Sequence, residues 1–200
     1  MDSKDPLEYL KKSNPLRITV SGDIGAGKST FSKRLAQELG IPRIYAGGLM
    51  REEATKLNVT LDELSNAWEK NDTGDKELDA LVKARSEMLA RGVFEGRLAW
   101  HFVKNPDVRV FISVDPEIAA KRIWNDSSNP LRDKYKSIDA LKKANLERKK
   151  SETARYKNYY GLDAYDASNF DVIIDSGNLS IEQVFEEAVT KIAEFMQGLD

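Results

Sequence analysis

Leu16-Arg17-Ile18-Thr19-Val20-Ser21-Gly22-Asp23-Ile24-Gly25-Ala26-Gly27-Lys28-Ser29-Thr30 passes from a β-branched apolar run, through a glycine-rich turn, into a helical pattern that continues to Leu39. Residues 22–29 match G-x-x-x-x-G-K-[ST] in full, between a strand and a helix, which is the context the pattern requires. Each residue type has a physical reason. Glycines let successive backbone N–H groups turn inward onto phosphate oxygens with no Cβ in the way. The helix N-terminus adds unpaired donors and the positive end of its dipole. Lys28 places a point charge between β- and γ-phosphates, and the Ser29 hydroxyl suits Mg²⁺. The stretch therefore predicts nucleoside triphosphate binding, with Gly22, Gly25, Ala26, Gly27, Lys28 and Ser29 as the candidate ATP-binding residues.

Working outward, short apolar runs alternate with longer helical patterns. Strands are predicted at Leu16–Val20, Arg43–Tyr45, Val93–Glu95, Val108–Val114 and Asp171–Asp175, the fourth being the most apolar and read as central. Helices are predicted over 28–39, 49–57, from Thr60 with Glu63 at the capping-box position, over 75–91, 116–124 and 138–160, and from Ser180 with Gln183 as its capping partner. This alternation implies an α/β fold: a P-loop three-layer α/β/α arrangement around a parallel sheet. Residues 1–15 read as a polar leader, in which Leu7, Tyr9 and Leu10 offer at most a short anchoring turn. Residues 16–200 read as one domain. Two stretches exceed simple crossovers, a helical insertion at about 47–92 and a lid region at about 125–160.

Composition narrows the chemistry. The 200 residues contain no cysteine and one histidine, His101, which excludes disulfides, thiolate metal sites, histidine cages and histidine-based triads. The formal net charge of −2 gives no overall basic field, so no nucleic-acid partner is expected. No signal-peptide core and no bilayer-length apolar stretch is present, so a cytoplasmic protein without a membrane partner is expected. A guanine-reading Asn-Lys-x-Asp element is missing, because no asparagine here is followed by lysine.

A kinase needs an acceptor site and positive charge over the transferring group, and arginine's planar fork suits phosphate. Arg148, Glu152 and Arg155 fall at i, i+4 and i+7, on one helix face, with Glu152 placed to orient the guanidiniums. Glu95 closes the third strand, where a carboxylate can hold Mg²⁺ through water. Gly96 then permits close approach, and Arg97 can reach an acceptor phosphate. Arg51 opens the helical insertion and either clamps the acceptor phosphate or pairs with Glu52 or Glu53. Trp100, His101 and Phe102 either line the acceptor pocket or pack beneath the insertion, and Trp68 and Trp124 read as packing residues.

These segments resemble the nucleoside monophosphate kinases, and archaeal-type cytidylate kinases in particular. The resemblance rests on Ile18–Thr30, Ala46-Gly47-Gly48-Leu49-Met50-Arg51, Phe94-Glu95-Gly96-Arg97-Leu98-Ala99, Ala120-Lys121-Arg122-Ile123 and Glu147–Tyr156. It implies a five-stranded parallel core, an acceptor-binding helical part and a closing lid. It also implies ATP as phosphate donor, Mg²⁺ as cofactor, CMP or dCMP as acceptor, and a monomer. On that likeness Thr30 joins the ATP-binding set and Arg122 lies against adenine. Gly47, Arg51, Arg97 and Glu152 belong to the acceptor side. Lys28, Arg97, Arg148 and Arg155 carry catalysis, while Ser29 and Glu95 stand near the metal. The chain departs from the family at Gly48, where an acid is usual, and at Asp23-Ile24 inside the loop. Two other readings are a kinase for a different nucleotide or small metabolite, and a nucleotide-dependent binding or assembly factor with weak ATPase activity.

Overall fold

The computed structural model describes residues 5–60, 63–64, 67, 74–126 and 135–198. Trp68, most of the helix expected after Thr60, and the polar stretch around Pro130 lie outside the described residues. Five strands, β1 (Leu16–Gly22), β2 (Arg43–Tyr45), β3 (Arg91–Glu95), β4 (Val108–Ser113) and β5 (Val172–Asp175), form one parallel sheet in the order β2-β3-β1-β4-β5. β1 is the central strand, with Val20 beside Glu95 of β3 and Gly22 beside Ile112 of β4. The most apolar strand, β4, is internal but one place off-centre.

Period-two alternation sends side chains to two faces, and both are covered, as a parallel sheet requires. Ile18, Val20, Val93, Val110 and Ile112 pack against α2 (Lys28–Leu39) and α8 (Ile181–Gln197). The opposite face carries Phe94 and Phe111. Phe94 packs with Val82 of α4 (Gly74–Met88) and with Leu49 of α3 (Ala46–Leu57). Phe111 meets Tyr165 and Phe170. α8 buries Val184, Phe185, Ala188, Val189, Ile192 and Ala193, the stripe of an amphipathic helix, and opens with the expected Ser180–Gln183 capping box. α3 starts three residues earlier than its pattern suggested, through Gly47 and Gly48. α4 ends at Met88 because Arg91 is already paired with Leu16 in the sheet.

Of the stretch read as a polar leader, residues 5–15 are described, and they pack on the core. They hold α1 (Pro6–Lys12), capped by Asp5, whose carboxylate accepts from the Leu7 N–H at 2.9 Å. Leu10 is fully buried in the same core as Leu16 and Ile192. Arg91 donates to the Leu10 and Lys11 carbonyls at 3.2 and 2.9 Å, and Tyr9 donates to the Met196 carbonyl at 3.4 Å. Two neighbouring apolar side chains and one aromatic ring outweighed the polar composition around them.

The remaining helices are α5 (Ala99–Phe102), α6 (Pro116–Asn125) and α7 (Ile138–Tyr160). α7 is 23 residues long yet buries only Leu141, Glu152 and Tyr156. Its packing is too thin for a core helix, and two of its three buried residues carry polar atoms. The crossover from β1 runs out to β2 and the one from β3 runs back across β1 to β4, so the strand order reverses at β1 and a crevice opens at its carboxyl end, where open α/β sheets place their ligands.

Replacing Leu10 with alanine should cost about 2–5 kcal/mol, as for other fully buried leucines. A urea titration reads this directly, and a loss below about 0.5 kcal/mol would show that α1 is dispensable to the core.

Candidate active site

β1 ends on Gly22, whose φ is +150° and where a Cβ would lie 2.2 Å from the Ile112 carbonyl oxygen, so no other residue fits. The chain then turns through residues 23–27 into α2. Lys28, the first residue of α2, folds back, and its Nζ donates to the Asp23 carbonyl at 2.8 Å. Enclosure by the surrounding chain, with the Arg97 charge nearby, pushes the Lys28 ammonium down to about 7.

Two carboxylates organise the cations around this loop. Glu95, at the end of β3, accepts from Ser29 Oγ at 2.7 Å, Ser32 Oγ at 2.6 Å, and Arg43 Nη2 at 2.5 Å. Burial alone would push its carboxyl up, but the two hydroxyls and Arg43 outweigh it and hold Glu95 below the usual carboxylate range. Glu152, 5% exposed on α7, accepts from Arg97 Nε at 2.7 Å, Tyr165 Oη at 2.7 Å and Arg148 Nε at 2.9 Å. Burial again opposes ionisation, and again the surrounding cations and the phenol prevail, Arg97 foremost. Arg97 also donates from Nη1 to the Gly22 carbonyl at 2.7 Å. One guanidinium thus joins the glycine loop to α7, and through Glu152 to Arg148.

The expected set is therefore partly gathered. Ser29 with Glu95, and Arg97 and Arg148 with Glu152, form two hydrogen-bonded sets at the carboxyl end of β1, and Lys28 lies within electrostatic reach of Arg97, Glu95 and Glu152. Arg155 lies on α7 with its guanidinium carbon 5.9 Å from the Tyr156 ring centroid. Arg122 borders a cleft of about 580 Å³ beside Gly25, Ala26, Gly27, Ser29 and Thr30. Its Nη1 donates to Ser176 Oγ at 3.0 Å, and Nη2 reaches the Gly177 carbonyl at 3.2 Å, which fixes the guanidinium plane at the cleft wall.

Arg51 does not pair with Glu52 or Glu53, which bind Arg85 and Lys56. Its Nη1 donates to Tyr45 Oη at 3.0 Å. The Tyr45 ring also accounts for Gly48, because a Cβ there would lie 2.8 Å from Tyr45 Cε1. Trp100, His101 and Phe102 pack edge-on against one another, Phe170 and Tyr160. Trp124 packs near Ile123 and Leu141.

Residues that the sequence reading passed over are Ser32, Arg43, Tyr45 and Tyr165. Arg43 and Tyr45 alternate on β2, and the guanidinium lies 4.1 Å from the ring centroid; this i, i+2 pairing at the end of a short strand was a readable signal. Tyr165 sits in an irregular segment with no periodicity to reveal it.

Ser29 Oγ and the Glu95 carboxylate offer oxygen donors only, the chemistry Mg²⁺ prefers. Among the described residues no group of three or more His, Cys, Asp or Glu side chains could cage an ion alone. The donor set fits an ion that substrate phosphates help to hold. No helix among the described residues is long and apolar enough to cross a membrane.

A parallel sheet with a phosphate loop at the tip of its central strand, overhung by arginines, is the architecture of a P-loop phosphotransferase. The chain belongs to the cytidylate kinase-like family, whose model matches residues 17–178. It is 34% identical over 171 residues to a cytidylate kinase of Archaeoglobus fulgidus, covering 86% of this chain and 91% of that one. A cytidylate kinase of Methanococcus vannielii is 34% identical over 181 residues, covering 86% and 98%. Among solved structures, a shikimate kinase from Bacteroides thetaiotaomicron shares the fold at a TM-score of 0.60 and 20% identity, covering 91% and 98%. The chain is thus a nucleotide-binding kinase.

The lowered Lys28 has a calorimetric consequence. A triphosphate favours the charged ammonium, so at pH 8, above about 7, binding should draw in a proton, approaching one per site. At pH 6 the lysine is already charged and uptake should vanish. Titrations in two buffers of different ionisation enthalpy measure this, and buffer-independent heats at pH 8 would contradict it.

Proposed function

We propose that this protein transfers the γ-phosphate of ATP to CMP or dCMP, giving CDP or dCDP, as a cytoplasmic monomer. The observation that carries the reading is the Arg97 bridge. It joins the Gly22 carbonyl to Glu152 and so brings Lys28, Arg97 and Arg148 to one place. The family match and the names of the relatives support cytidylate as acceptor.

In this reading residues 22–30 hold the triphosphate, Lys28 moves from the Asp23 carbonyl to the β- and γ-phosphates, and adenine lies in the cleft against Arg122. The insertion at about 47–92 supplies the acceptor side, where Gly47 allows close approach and Arg51, set by the Tyr45 hydroxyl, binds the acceptor phosphate with Arg97. A phosphate oxygen of the monophosphate, already ionised, attacks the γ-phosphorus in line. The bond to the β–γ bridging oxygen breaks and ADP leaves. Charge spreads over the equatorial oxygens during transfer, and Arg148 and Arg155, on the lid region at about 125–160, neutralise it while Glu152 orients them. Ser29 and Glu95 would hold Mg²⁺, which would supply further neutralisation of the phosphate charge. Water excluded by lid closure keeps the γ-phosphate from hydrolysis.

A coupled ADP-release assay across nucleoside monophosphates, shikimate-like metabolites and no acceptor tests the reading. Release should require CMP or dCMP. Lys28→Ala should abolish transfer, and Arg155→Ala should lower kcat about a hundredfold with little change in ATP affinity. Release with another acceptor would reassign the substrate, and equal release with none would replace the kinase by a nucleotide switch.

A further inference from the structure

Asp23 places a carboxylate inside a loop built for a polyanion. The side chain is 16% exposed and does not turn out to solvent. Its Oδ2 accepts from the Val114 N–H at 3.2 Å, and its Oδ1 accepts from Lys149 Nζ at 2.7 Å. The backbone is committed as well. The Asp23 N–H donates to the Ile112 carbonyl at 2.9 Å, and its carbonyl accepts from Lys28. Ile112 belongs to β4 and Val114 follows it directly, so the sheet anchors the acid independently of Lys149. A charge fixed in this way stays beside Lys28 and opposes an approaching phosphate chain unless a cation cancels it. Lys149 is that cation. It stands on α7 next to Arg148, with its ammonium 4.3 Å from the centroid of the Tyr165 ring, whose hydroxyl holds Glu152.

We propose that the Asp23–Lys149 ion pair is a positioning device for the donor nucleotide. Lys149 neutralises the negative charge built into the loop. By the same bond it registers α7 on the loop, which sets Arg148 and Glu152 over the triphosphate. The proposal deepens the kinase reading above and rests on it. Neither residue touches the reacting atoms; one effect is on donor affinity, the other on turnover.

The two halves of the pair are not equivalent, and that gives the proposal its signature. Removing Lys149 leaves an anchored, uncompensated carboxylate in the phosphate site, so donor binding weakens. Neutralising Asp23 removes the opposing charge, so donor binding holds or tightens even though the tether is lost. Changes to directly paired groups are non-additive, and here the sign of the non-additivity is fixed. An ion pair that only braced the fold would lose affinity from either side, and neither change would rescue the other.

Calorimetric titration of the full chain with a non-hydrolysable ATP analogue and Mg²⁺, for wild type, Lys149→Met, Asp23→Asn and the double variant, measures the cycle. Lys149→Met should weaken binding about tenfold, and adding Asp23→Asn should restore at least about threefold of that. Lys149→Arg should keep wild-type affinity, because it keeps the charge. Both variants lacking the Asp23 charge should show reduced kcat in the ADP-release assay with donor KM near the wild-type value. The lysine is 39% exposed, so its replacement should leave the fold intact, and Lys149→Gln gives a second neutral variant should the methionine form melt early. Lys149→Met affinity within about twofold of wild type, or a double variant binding no more tightly than Lys149→Met, would overturn the proposal. A wild-type chain with no monophosphate requirement would sink the kinase reading, yet the binding cycle would still decide the ion pair.

Discussion

Like charges brought together repel, and a site that gathers several cations must hold each against an internal acceptor of its own. That constraint shapes everything at the carboxyl end of β1. Lys28 leans on the Asp23 carbonyl, Arg97 on the Gly22 carbonyl and Glu152, Arg148 on Glu152, Arg43 on Glu95, and Lys149 on Asp23. Three of these partners are carboxylates, and the Arg97–Glu152 and Arg43–Glu95 pairs are well removed from water. Burying paired ions is costly and contributes little net stability. The arrangement makes sense as preorganisation: the cations are already aimed, and an arriving polyphosphate exchanges one set of acceptors for another.

The fold provides this arrangement by topology. β1 lies between β3 and β4, and the two neighbours contribute Glu95 on one side and the Val114 amide on the other. α2 begins at the loop with Lys28. α7 contributes the remainder while burying very little of itself, and on the proposed function it presents Arg148 and Glu152 rather than filling a core. The helices α3 and α4 adjoin the site through β2, where Arg43 donates to Glu95 and Tyr45 accepts from Arg51.

Much of this was legible beforehand, for identifiable reasons. The loop from Gly22 to Ser29 carries its chemistry in local spacing, and the five strands announced themselves as short apolar runs and α7 as a long charged helical pattern. Arg148 and Glu152 were readable because i and i+4 share a helix face. What stayed hidden depended on tertiary contact. The Arg97–Gly22 bridge spans 75 positions and the Asp23–Lys149 pair 126, so no local pattern could reveal either. Residues 6–12 look polar by composition, and only the fit of Leu10 into a core completed by Ile192 makes them part of the domain. Gly48 read as a missing acid, whereas a side chain there would have to displace the ring of Tyr45, three residues earlier.

The central claim is that these cations exchange their internal acceptors for a phosphate chain that joins two nucleosides. A crystal structure with adenosine and cytidine linked through five phosphates tests it most directly. The account predicts the chain running along residues 22–29, Lys28 Nζ transferred from the Asp23 carbonyl to phosphate oxygens, and Arg97 and Arg148 within hydrogen-bonding distance of the phosphates beyond. A chain bound elsewhere, or both arginines still spent wholly on Glu152 with no phosphate in reach, would contradict it.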